Sequence, residues 1–228
     1  MITMKDVHKT YANGVTALNG IDIHIRPGEF VYVVGPSGAG KSTFVKLIYR
    51  EAKATSGEII INDINVSNIK EKKVPYLRRQ IGVIFQDFKL LPKLTTYENV
   101  AFALEVIEES PRNIRRKVMD VLELVGLKNK ARFLPDELSG GEQQRVSIAR
   151  AIVNAPKIVI ADEPTGNLDP DTSWEIMRVF EEINARGTTV IMATHSKEIV
   201  NAMKKRVIAV EDGLIVRDEQ QGEYGYEI

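Results

Sequence analysis

Gly35-Pro36-Ser37-Gly38-Ala39-Gly40-Lys41-Ser42-Thr43 is the stretch on which the reading of this 228-residue chain turns. Phe30-Val31-Tyr32-Val33-Val34 before it is apolar and β-branched, which predicts a buried strand. Phe44-Val45-Lys46-Leu47-Ile48 after it predicts the first turns of a helix. A strand, a G-x-x-x-x-G-K-S loop and a helix in that order form the P-loop pattern. Glycines let backbone wrap closely around phosphate oxygens, because no Cβ stands in the way. The loop amides make an anion-binding nest, and the helix N-terminus adds partial positive charge. Lys41 is placed to reach β- and γ-phosphates, and the Ser42 hydroxyl to ligate Mg²⁺.

Working outward, Ile21-Asp22-Ile23-His24-Ile25 alternates with period two, as a half-buried strand does. Asn13-Gly14 and Pro27-Gly28 mark turns on either side. Glu58-Ile59-Ile60-Ile61 predicts a strand ending in a turn at Asn62-Asp63, and Ile81-Gly82-Val83-Ile84-Phe85 predicts another strand. From about Leu90 to Leu134 the text turns helical, with Ile114, Val118, Val121, Leu122 and Val125 at helical spacing and basic residues opposite. Strands resume at Ile158–Ala161, Val190–Ala193 and Val207–Val210, with a helix between the first two that carries Ile176, Val179, Phe180 and Ile183 on one face. Continuous apolar strands alternating with helices predict an α/β protein with a mostly parallel, doubly covered sheet. The polar tail from Gln220 to Ile228 reads as mobile.

Lysine plus arginine equals aspartate plus glutamate, 31 against 31, so the chain carries no net charge. That argues against a protein whose main task is to coat nucleic acid or an anionic membrane. Cysteine is absent, which excludes disulfides and thiolate metal sites. No signal-peptide pattern and no apolar run near the ~20 residues of a bilayer span is present, so the expectation is a cytosolic chain. Any membrane association is then expected through a partner.

Leu138-Ser139-Gly140-Gly141-Glu142-Gln143-Gln144-Arg145 is the second strong signal. Ser139 followed by Glu142 fits a capping box. Two glycines in the first helical turn are poor choices for stability alone, each costing about 1 kcal/mol in a helix interior. They suit a backbone that phosphates must approach. Ile158-Val159-Ile160-Ala161-Asp162-Glu163 is an apolar strand ending in two carboxylates, at the end of a strand where α/β sheets bind ligands.

L-S-G-G-E-Q beside a P-loop resembles the signature of ABC-type ATPases, and the resemblance covers roughly residues 4–216. It implies a P-loop NTPase fold: one ABC nucleotide-binding domain over 1–228 with a RecA-like core, an antiparallel β subdomain and a helical subdomain over approximately 90–155. It also implies roles. Ser139, Gly140 and Gly141 contact the γ-phosphate of ATP held by a second subunit, in a head-to-tail, ATP-dependent homodimer. Asp162 resembles the Walker B aspartate that holds Mg²⁺, and Glu163 the general base. Gln86 resembles the glutamine that reaches Mg²⁺ and the attacking water, and whose loop moves with the transmembrane partner. His195 resembles the switch histidine that contacts the γ-phosphate and Glu163. Gly166-Asn167-Leu168-Asp169 matches the D-loop. Tyr11 resembles the aromatic that stacks on adenine. ATP and Mg²⁺ are the implied ligands, with no nucleic acid.

Ala161-Asp162-Glu163-Pro164-Thr165-Gly166-Asn167-Leu168-Asp169 is similar to a branch that holds lipoprotein-release, macrolide-export and cell-division ATPases. Val74 to Leu91, Asn113 to Val118 and the ending Gly222-Glu223-Tyr224-Gly225-Tyr226 are similar to the Gram-positive cell-division members. That likeness implies a membrane partner, FtsX, a place at the cytoplasmic face of the membrane at the division site, and control of peptidoglycan hydrolases. A transporter ATPase of the same branch stays open, as does a protein without a membrane partner. The apolar run Phe88, Leu90, Leu91 and Pro92 reads as an exposed grip for the partner or as packing under the helical segment.

Overall fold

The computed structural model describes residues 1–225 and therefore stops short of Tyr226 in the ending noted above. In chain order the elements are β1 (Ile2–Thr10), β2 (Thr16–Ile25), β3 (Phe30–Val34), α1 (Lys41–Ile48), β4 (Ser56–Ile61), β5 (Ile64–Asn65), α2 (Val74–Arg78), β6 (Ile81–Phe85), α3 (Thr96–Glu105), α4 (Pro111–Leu124), α5 (Gly140–Ile152), β7 (Ile158–Asp162), α6 (Pro170–Ala185), β8 (Thr189–Ala193), α7 (Lys197–Met203), β9 (Arg206–Glu211) and β10 (Leu214–Glu219). They fall into two compact units, one of Met1–Arg78 with the described residues from Thr189 onward, the other Arg79–Thr188.

In the first unit, β2, β1, β4 and β5 form an antiparallel sheet in that order. The alternation at Ile21–Ile25 becomes β2, which buries Ile21, Ile23 and Ile25 and exposes Asp22 and His24. Asn62 and Asp63 both take positive φ, 47° and 65°, and turn β4 into β5 with Ile61 paired to Ile64. Asparagine and aspartate tolerate that left-handed geometry better than most residues, which is why the turn is readable. The second sheet of this unit runs β10-β9-β3-β8, with β3 parallel to both β8 and β9 and β10 antiparallel at the edge. Every residue of β3 and β8 is buried, as expected of parallel strands covered on both faces. Phe44, Val45, Leu47 and Ile48 of α1 are buried too. Each such side chain contributes about 1.5–3 kcal/mol.

Arg206, at the start of β9, is 7% exposed and ties distant parts of this unit together. Its guanidinium donates to both carboxylate oxygens of Asp218 on β10 (2.8 and 2.7 Å), to Glu29 (2.7 Å) and to the carbonyl of His24 on β2 (2.8 Å). The Asp218 contact, ahead of Glu29, raises the Arg206 pKa further. Removing one member of such a network strands the others, at about 3–5 kcal/mol. Arg206→Met is therefore expected to lower the unfolding free energy by about 3 kcal/mol, with Arg206→Lys intermediate. Urea titrations of the three proteins check this, and overlapping curves would remove the network from the list of major stabilisers.

The tail is a correction. Gly222 N–H donates to the Lys205 carbonyl and Tyr224 N–H to Asn201 Oδ1, while Arg217 reaches the carbonyls of Glu223 and Tyr224. The chain is thus pinned as far as Tyr224. Backbone acceptors and one asparagine do this, and polar composition does not reveal them.

In the second unit β6 and β7 pair in parallel, with Phe85 opposite Asp162. Thr95 and Glu98 form a capping box that starts α3. α4 buries Ile114, Val118 and Leu122, four residues apart along one stripe. α5 lies close against β6, because a Cβ on Gly82 would run into the backbone of Ala151. Asn99 is fully buried and satisfied: its Nδ2 donates to the carbonyls of Leu91, Leu94 and Thr95, and its Oδ1 accepts from Leu91 N–H. The loop before α3 is therefore fixed from inside. Among the described residues no helix is long and apolar enough to cross a membrane.

Candidate nucleotide site

The first unit carries Tyr11, Gly35, Pro36, Ser37, Gly38, Ala39, Gly40, Lys41, Ser42, Thr43 and His195. The loop leaves the carboxyl end of β3 and enters α1 through Gly40. Its shape is dictated by close neighbours. A Cβ on Gly35 (φ 144°) would collide with the Val210 carbonyl, and one on Gly40 (φ 108°) with the Ala17 carbonyl. Gly213 N–H donates to the Ala39 carbonyl and so closes the loop from the β9–β10 turn. No side chain caps α1 and no acidic residue lies in its first turn, so its N-terminal amides suit an anion. Lys41 Nζ donates to the carbonyls of Gly35 (2.8 Å) and Pro36 (2.9 Å), which holds the ammonium across the loop mouth. Ser42 is exposed.

Tyr11 is brought to this loop. Its hydroxyl hydrogen-bonds Thr43 Oγ1 at 3.1 Å, and Lys9 Nζ lies 4.7 Å above its ring. His195 is exposed just beyond β8, and Thr194 N–H donates to the Val33 carbonyl, so histidine and loop share the carboxyl ends of paired parallel strands.

The second unit carries Gln86, Ser139, Gly140, Gly141, Asp162 and Glu163. Because Phe85 faces Asp162 in the ladder, Gln86 and Glu163 leave adjacent strands at the same level. Gln86 Nε2 donates to Asn167 Oδ1 (3.1 Å) and the Asn167 amide returns to the Gln86 carbonyl (3.4 Å), which joins the glutamine to the D-loop segment. Asp162 ends β7 and is half-buried. Glu163 has a left-handed backbone, φ 52°, an uncommon state for a non-glycine residue. Strained backbone of that kind clusters at working sites.

Ser139 caps α5 as its spacing predicts. Its Oγ accepts from Glu142 N–H, and Ser139 N–H donates to the Glu142 carboxylate in return. The hydroxyl keeps its own proton to donate. Glu142 is held below the usual carboxylate range, first by its bond to Lys130 and then by the Ser139 amide. The two glycines that follow differ. Gly141 is buried, and a Cβ there would run into the Thr172 methyl on α6. Gly140 is exposed, and a Cβ there would meet Leu168 at 3.6 Å, an ordinary contact. Packing alone accounts for glycine at 141, whereas nothing in this chain's packing asks for it at 140. Gly141→Ala is expected to cost about 1–3 kcal/mol by overpacking, and Gly140→Ala to be neutral or to gain up to about 1 kcal/mol. Paired thermal melts check the contrast, and equal losses would remove it.

Phe88, Leu90 and Leu91 are half-buried, and only Pro92 of that run is exposed. Phe88 and Lys89 both have positive φ, 58° and 51°, and Arg150 of α5 donates to their carbonyls at 3.0 and 2.6 Å. Burial lowers the Arg150 pKa. The contacts of Arg150, Asn99 and Gln144 are not signalled by the sequence, since each side chain meets backbone groups, and the D-loop reading of Asn167 does not reveal its bond to Gln86.

A family model described as ABC transporter matches residues 18–166. The cell division ATP-binding protein FtsE of Bacillus subtilis (strain 168) is 72% identical over 225 residues, covering 99% of both chains. The protein of the same name from Streptococcus pneumoniae is 62% identical over 227 residues, covering 100% of this chain and 99% of that one. A solved dimeric bacterial ABC transporter cassette superposes with a TM-score of 0.88 at 38% identity, covering 99% of this chain and 100% of that one. The same cassette in a post-hydrolysis dimeric state bound to ADP and Pi gives 0.88 at 37% identity, with the same coverage. A P-loop shaped by its neighbours, a capped signature helix and full-length likeness of this order lead to one conclusion: the chain belongs to the ABC transporter family, in the FtsE branch of its ATP-binding subunits.

Proposed function

We propose that this chain is the ATP-hydrolysing subunit of a cell-division complex of the FtsE–FtsX type, peripheral to the cytoplasmic face of the membrane through its partner, and that ATP cycling in it controls peptidoglycan hydrolases. The observation that carries the reading is the 72% identity along 99% of the chain to a protein of that name. Net neutrality supports a protein partner over nucleic acid.

In this reading Lys41 and the backbone N–H groups of the loop, Pro36 excepted, hold the β- and γ-phosphates, and Tyr11 stacks on adenine. Ser42, Asp162 and Gln86 are the groups that would hold Mg²⁺. The donor set fits in kind: a hydroxyl, a carboxylate and an amide carbonyl all offer oxygen, the donor a hard cation takes. Mg²⁺ favours one or two protein oxygens together with substrate phosphates and water. When bound with ATP it neutralises charge on the β- and γ-phosphate oxygens. Glu163 takes the proton of the attacking water as the new oxygen–γ-phosphorus bond forms and the bond to the β–γ bridging oxygen breaks. His195 donates to the γ-phosphate. Ser139 and the amides of Gly140 and Gly141 of a second copy close on the γ-phosphate, in a head-to-tail homodimer.

Co-expression with an FtsX-type membrane protein and purification in detergent tests the reading. The two should co-elute, and hydrolysis should depend on both. Failure to co-elute, with ATPase activity intact, would leave the ATPase and remove the cell-division partner.

A further inference from the structure

We infer that Gln144 is a positioning residue for Glu163: its buried amide holds the Pro164 carbonyl and thereby fixes the left-handed turn that sets the direction of the Glu163 side chain. The inference rests on the reading of Glu163 as the base.

Gln144 is fully buried on α5, one turn along from Gly141. Its Nε2 donates to the Pro164 carbonyl at 2.7 Å. A carbonyl only accepts, so the amide orientation is fixed by chemistry. The other end of the amide gains nothing: Gln144 Oε1 is buried with no hydrogen-bond partner among the described residues, as is Ser147 Oγ three residues on. A buried unpaired acceptor lowers stability, and an apolar side chain of similar volume would avoid that cost. The glutamine is therefore poorly explained as packing.

Its one bond falls where a brace is needed. Glu163 has φ 52°, and a residue before proline prefers extended backbone. Such a turn does not hold itself. The bonds that fasten it include Gly166 N–H to the Glu163 carbonyl at 3.1 Å and Gln144 Nε2 to the next carbonyl along. Further along the same helix, Arg150 holds the carbonyls of Phe88 and Lys89, the residues that follow Gln86. The helix that begins at the signature thus holds the loops after both β6 and β7.

The test uses the full chain with its membrane partner and follows steady-state ATP hydrolysis. Gln144→Met keeps length and volume and removes the donor. It is expected to lower kcat by about 10²-fold through misplacement of the base, with KM for ATP and the melting temperature little changed. In a double-mutant cycle, Gln144→Met added to Glu163→Gln should lower turnover no further. Gln144→Asn carries the same cycle should Gln144→Met not fold. A normal kcat in the Gln144 variant beside an inactive Glu163→Gln overturns the inference and leaves the base in place. Full additivity in the cycle also overturns it, since Gln144 would then act other than through Glu163. Normal turnover in Glu163→Gln itself removes the base reading, and the inference with it.

Discussion

Lys41→Ala is expected to reduce ATP turnover by about 10³-fold or more, because a fixed charge at the transferring phosphoryl group supplies much of the catalysis. The loss should also weaken ATP binding. The fold should survive. Lys41 donates to the carbonyls of Gly35 and Pro36, but the loop's path is set by Gly35 against Val210 and Gly40 against Ala17, none of which involves the lysine side chain. Losing those two bonds should cost about 1–3 kcal/mol. Steady-state hydrolysis, nucleotide titration and a melt on one preparation separate these effects. Turnover near that of the unmodified chain would refute the P-loop assignment, and a collapsed melt would mean that the lysine is needed to fold.

Glu163→Gln is expected to behave in the opposite way toward the dimer. The amide keeps the size and hydrogen bonding of the carboxylate and cannot accept the proton of water. Hydrolysis should fall by about 10²–10⁴-fold. Binding should persist, so ATP with Mg²⁺ should drive the variant into a long-lived dimer that Lys41→Ala does not form. Sedimentation velocity with and without ATP checks this. A variant that remains monomeric and cleaves ATP at the normal rate would remove Glu163 from the role of base.

Local chemistry made much of the fold legible. Ser139 and Glu142 are three residues apart and form the reciprocal cap that the spacing announces. Ile21 to Ile25 alternate, and the strand buries the isoleucines. Asn62 and Asp63 turn where such residues tolerate positive φ. The illegible part has a common physical cause. Arg206 finds the His24 carbonyl 182 residues away, Arg150 finds Phe88 62 residues away, and Gln144 finds Pro164 20 residues away. In each case a polar side chain meets a backbone carbonyl, and a carbonyl leaves no mark in the sequence. The same blindness explains the tail to Tyr224, read as mobile and found tied down, and the run Phe88 to Leu91, whose apolar residues are half-buried. At the signature, the sequence offered one reason for two glycines, whereas Thr172 hard against Gly141 and only an ordinary contact with Leu168 at Gly140 separate them.

The wedged glycines of the phosphate loop bear on the speed of the nucleotide cycle. A loop cast by the carbonyls of Val210 and Ala17 has little conformational freedom left to surrender when a triphosphate arrives. The entropy of ordering has already been met by folding, so capture should resemble docking onto a rigid surface, with a modest temperature dependence. Differences in nucleotide affinity among variants of the loop should then show in how fast contacts break more than in how fast they form.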